Sequence, residues 1–93
     1  MQLFIDSANP ACWKSVCDTG LFSGVTTNPL LIQRAGLPVS IETCTRLYDD
    51  AMALGFQMIH FQVWGSQWLQ IAEQIAQLGP ETVIKIPANH VGF

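Results

Sequence analysis

At 93 residues, 49% apolar and only 12% charged, the chain makes one small domain and excludes a disordered segment. A net charge of −3, with four basic residues (Lys14, Arg34, Arg46 and Lys85), leaves no basic patch for nucleic acid. No run of about 18 uncharged apolar residues marks a membrane span; "MQLFID" lacks the pattern of a signal peptide, so the expected location is cytoplasmic.

The first apolar run is "QLFID", residues 2–6. "NPACWKSVCDTG" follows as a helix, with Asn9 as N-cap, Pro10 at its first position and Gly20 past its end. The second run, "FSGVTT" at 22–27, leads into "NPLLIQRAG", where Asn28 and Pro29 repeat the cap-then-proline signature. Between Ser40 and Leu54, Ile41, Cys44, Leu47, Tyr48, Ala51 and Met52 recur at helical spacing. The third run is "QMIHFQVW", residues 57–64; Ser66 then opens a helix striped by Leu69, Ala72, Ile75 and Ala76 and ended by Gly79-Pro80. The fourth run is "TVIKIP", giving strands near 2–6, 22–27, 57–63 and 82–86 in one domain over 1–93.

Strands and helices alternating at this spacing predict βαβ units and a parallel sheet, either open and doubly wound or part of a (β/α)-barrel. No glycine-rich phosphate loop follows any strand, which removes the main support for nucleotide binding. Cys12, Cys17 and Cys44 are odd in number and lack C-x-x-C spacing, so they read as reduced, semi-buried packing residues. The high apolar share predicts strands buried on both faces or a surface that meets another chain.

Polarity concentrates at the strand ends. Asp6 closes the first run, Thr26, Thr27 and Asn28 the second, Gln62 nearly the third and Lys85 nearly the fourth. In a parallel sheet these ends share one rim, where α/β folds hold ligands. Strand alternation then places Asp6 with Phe4, Gln62 with His60, and Lys85 with Val83 on one face. Ile5, Ile59, Phe61, Val63, Ile84 and Ile86 take the helix side. Each polar residue also has a structural reading. Asp6 and Asn28 can cap loops or helices, His60 and Gln62 can be satisfied core groups, and Lys85 can protect an edge strand.

A lysine amine at its ordinary pKa of about 10.4 is almost wholly protonated at pH 7. Apolar surroundings disfavour the ammonium and free the amine for attack on a carbonyl. Val83, Ile84, Ile86 and Pro87 provide such a setting in sequence. The resulting Schiff base is an electron sink for breaking or making a carbon–carbon bond.

"LFIDSAN", "GVTTNPLLI", "FQV" and "VIKIPA", in this order, resemble the transaldolase family, most nearly its small-transaldolase and fructose-6-phosphate aldolase branch. The resemblance implies a (β/α)8 barrel that forms a lysine Schiff base with a ketose or ketose phosphate, for aldol cleavage or dihydroxyacetone transfer. It implies no metal and no organic cofactor. Lys85 matches the imine lysine, Asp6 the acid/base of the first strand, and Asn28, with Thr26 and Thr27, the substrate-binding block. Gln62 matches the position that holds the catalytic water, glutamate in transaldolases proper and glutamine in the aldolase-type members. Asn89 stands where the family usually has threonine.

A complete barrel of this class needs about 250 residues, so the four strands here correspond to an N-terminal half. The expected partners are a sugar or sugar-phosphate substrate and further copies of the chain in a homo-oligomer, with neither nucleic acid nor membrane. The alternative is a non-catalytic, self-associating half-barrel or binding module.

Overall fold

The computed structural model describes residues 2–87; Asn89, the departure from the family pattern, lies outside them. Its elements are β1 (Leu3–Asp6), α1 (Pro10–Cys17), β2 (Phe22–Thr26), α2 (Pro29–Arg34), α3 (Ile41–Ala53), β3 (Met58–Gln62), α4 (Trp68–Ala76) and β4 (Thr82–Lys85). Two helices therefore fill the connection between β2 and β3. The helix starts follow from local chemistry. Asn9 Oδ1 accepts from Ala11 N–H at 3.0 Å and Asn28 Oδ1 from Leu31 N–H at 2.9 Å, each with proline just inside the helix. Ser40 Oγ accepts from Thr43 N–H at 3.2 Å to start α3.

All strand pairs are parallel and the sheet order is β1-β2-β3-β4. One sheet face carries the core: Val25, Ile59, Phe61 and Val63 are buried with Trp13, Ile32, Leu47 and Ile75 from the four helices. A doubly wound sheet reverses its strand order at a switch point and puts helices on both faces. Order along the chain with one covered face is instead the winding of a (β/α)8 barrel. The architecture is α/β, half of such a barrel, with the sheet not closed.

Three expectations change. Helix α4 starts at Trp68 behind Gln67, which makes no side-chain cap, so Ser66 does not open it. Its inward stripe is Trp68, Ile71, Ala72 and Ile75, whereas Leu69 is 57% exposed and Ala76 is also exposed. Both stripes satisfy helical spacing, and packing against the core selects the first. Ile86 falls past the end of β4 and is exposed instead of facing the helices.

Candidate active site

Strand register assembles the site. Asp6 pairs with Thr26, Thr26 with His60 and His60 with Val83, forming one row across the sheet; Gln62 and Lys85 pair in the next position towards the rim. Because side chains alternate, these residues share the face opposite the core. The rings of Phe4 and His60 confirm the shared face, meeting across Gly24 with centroids 4.8 Å apart. A Cβ on Gly24 would run into the carbonyl oxygen of Met58, so β2 and β3 approach here only because the residue is glycine.

The expected residues have distinct surroundings. Thr27 is buried, and both its N–H and its hydroxyl donate to the His60 carbonyl at 2.9 Å, so this hydroxyl is engaged within the fold. The Asn28 Oδ1 is occupied by its cap, and its amide N–H2 is the remaining donor of the side chain. Asp6 is exposed beside an open cleft of about 150 Å³, lined also by Ser7, Asn9 and Arg34. Gln62 is half-buried next to Lys85 on the neighbouring strand.

Lys85 departs from its expected setting. It is exposed, as are Val83 and Ile86, so the apolar enclosure suggested by its sequence neighbours is absent. The cause is topological: β4 is an edge strand, and among the described residues nothing lies beyond it. Asp6 lies on the opposite edge, about 14 Å from Lys85 measured along the sheet at about 4.8 Å per strand.

His60 carries an unanticipated feature. Both ring nitrogens are shut off from solvent, and neither has a hydrogen-bond partner among the described residues. Burial, and secondarily the positive charge of Lys85, hold its pKa below the ordinary histidine value, so the ring is neutral at pH 7. Its place within an apolar strand run was the sequence signal, but a satisfied core histidine has the same signature. Among the described residues, no group of three or more His, Cys, Asp or Glu side chains could hold a metal ion. No helix there is long and apolar enough to cross a membrane.

No family model matches the chain. Curated relatives do: a "Probable transaldolase" of Phenylobacterium zucineum is 34% identical, one of Aquifex aeolicus 31% and one of Alkaliphilus metalliredigens 33%. Each match covers 100% of this chain and 42% of the relative, so the chain spans about two-fifths of their length. With the parallel half-barrel and the rim residues in family order, these matches show that the chain belongs to the transaldolase family, as the counterpart of an N-terminal half.

Proposed function

We propose that this chain carries the imine-forming half of an aldolase or transaldolase site, acting on a ketose or ketose phosphate through Lys85. The observation that carries this reading is the convergence of Lys85, Gln62, His60, Thr26 and Asp6 on the uncovered sheet face at its C-terminal rim. The Lys85 amine attacks the ketose carbonyl, water leaves, and the protonated imine accepts the electron pair of the breaking carbon–carbon bond. The Asp6 that a second copy places beside β4 takes the proton of the hydroxyl that becomes the aldehyde, Gln62 holds the water, and Thr26 and Asn28 bind sugar hydroxyls. The enamine then adds to an acceptor aldehyde or is protonated and hydrolysed to release dihydroxyacetone. Glutamine at residue 62 favours the fructose-6-phosphate aldolase branch over the transferases.

Self-association belongs to the same reading. Among the described residues, both β1 and β4 present unpaired parallel edges. Placing β4 of one copy beside β1 of a second continues the strand order and brings Lys85 to the second copy's Asp6, a pairing of opposite charges. The exposed edge position of Lys85 also supports a second reading, in which the lysine only protects the edge and the chain is a binding module.

Reductive trapping separates the two. Incubation with dihydroxyacetone or fructose 6-phosphate followed by borohydride should add the reduced sugar mass to the intact protein, and Lys85→Met should abolish the gain. An equal gain in the variant would exclude the assigned chemistry.

A further inference from the structure

The open cleft beside Asp6 lies between two walls that the fold holds in place. One wall is the turn after β1. Ser7 N–H donates to the Thr26 carbonyl at 3.1 Å, the Ser7 carbonyl accepts from the Trp13 indole N–H at 2.9 Å, and Ser7 Oγ accepts from Asn9 N–H at 3.0 Å. The other wall is the last turn of α2, closed by Leu37 N–H on the Ile32 carbonyl at 3.1 Å. A carboxylate, Asp6, and a guanidinium, Arg34, both line the gap without joining in an ion pair.

Charge and donor supply narrow what fits there. Arg34 presents a planar fork of N–H donors that matches the two oxygens of a carboxylate. The Ser7 hydroxyl hydrogen and the Asn9 amide N–H2 remain as donors beside it, because the turn takes up the oxygens of these side chains. Asp6 offers acceptor oxygens, which suit a hydroxyl and repel a second anion. One cation opposite one carboxylate accommodates a monoanion better than a phosphate monoester, which brings about −1.5 to −2 charges at pH 7. The cleft volume of about 150 Å³ is that of about five waters at ~30 Å³ each, room for a two- or three-carbon chain.

We propose that this cleft is a binding site for a short hydroxy acid, with Arg34 on its carboxylate and Asp6 on its hydroxyl. The site needs neither Lys85 nor a second copy, since both walls come from the β1 turn and α2 of one chain. It shares Asp6 with the proposed Schiff-base site, so a bound acid competes with any sugar that uses the same carboxylate.

The test is an NMR titration of the full chain, with glycerate as the probe and backbone amide shifts as the readout. Glycerate should give saturable shifts at Ser7, Asn9 and Arg34, and propionate, which lacks the hydroxyls, should bind more weakly. Arg34→Gln should weaken both acids by about 10- to 100-fold, the loss of a charge-assisted pair. Asp6→Ala should instead bring glycerate and propionate to equal affinity. Lys85→Met should bind glycerate as the unaltered chain does. Glycerol 3-phosphate binding as tightly as glycerate would overturn the carboxylate assignment. Shifts that do not saturate, or binding unchanged in Arg34→Gln, would overturn the site itself. Loss of glycerate binding in Lys85→Met would overturn its independence from the lysine, whereas failure of borohydride trapping would remove only the Schiff-base reading.

Discussion

Burial gives chemically similar residues opposite behaviour in this chain. Cys44 on α3 is fully buried and its thiol is pushed up to about 12, whereas Cys12 is exposed. Iodoacetamide at pH 8 should therefore label Cys12 readily and Cys44 only after unfolding, as peptide masses would show. Burial of Cys44 favours its neutral form, so that contribution to stability is present below pH 9.0 and is lost as pH rises towards about 12. His60 has the opposite sign. Its folded pKa lies below 6.5, so its contribution is present above that value and is lost as pH falls through the folded pKa. Urea midpoints should thus drop between pH 7.5 and 5, and the drop should shrink in His60→Phe. A pH-independent difference between the two proteins would contradict this account. The sequence revealed His60 as a polar interruption on the inner face of β3, through period-two alternation. It could not reveal the unpartnered nitrogens, because these depend on Phe4 arriving across Gly24 from another strand.

Glycines and caps decide how the elements fit. Gly24→Ala would force a Cβ against the Met58 carbonyl, which is backbone and cannot turn away, and should cost about 1–3 kcal/mol in denaturant melts. Gly79→Ala would meet the Tyr48 hydroxyl, which donates to Glu81 at 2.6 Å and ties α3 to the start of β4. Asn28 serves both the α2 cap and the proposed sugar contact, and two substitutions separate these roles. Asn28→Ala should lose about 1 kcal/mol of stability. Asn28→Asp keeps an accepting oxygen for the cap but loses the amide donor, so it should stay as stable while sugar trapping weakens. Equal trapping by Asn28→Asp would remove the substrate contact. The asparagine–proline starts of α1 and α2 were readable because cap and proline act within a few residues. Helix α4 was not, since Trp68, Leu69, Ile71, Ala72, Ile75 and Ala76 contain two overlapping helical stripes and only packing chooses between them.

Among the described residues, four parallel strands leave two open edges and one face without a covering layer. The strand-end polarity located the rim correctly, yet the expected apolar enclosure of Lys85 failed. Enclosure depends on what stands beside β4, and the residues next to Lys85 in sequence do not supply it. The tryptophans also divide by packing: Trp13 is fully buried with its indole N–H on the Ser7 carbonyl at 2.9 Å, while Trp64 and Trp68 are half-buried against the core. An open sheet of this kind should self-associate, giving a dimer or larger species by light scattering. A stable monomer at high concentration would contradict that expectation.

On the proposed reading the uncovered face presents Lys85 as the reactive amine, and the chain provides its own control. Its lysines are Lys14, exposed on α1, and Lys85 on the inner face. The decisive measurement is therefore peptide mapping after borohydride trapping with dihydroxyacetone. The reduced adduct is expected on the peptide that contains Lys85 and not on the peptide that contains Lys14. Equal modification of both, or modification of Lys14 alone, would show only nonspecific amine chemistry and contradict it.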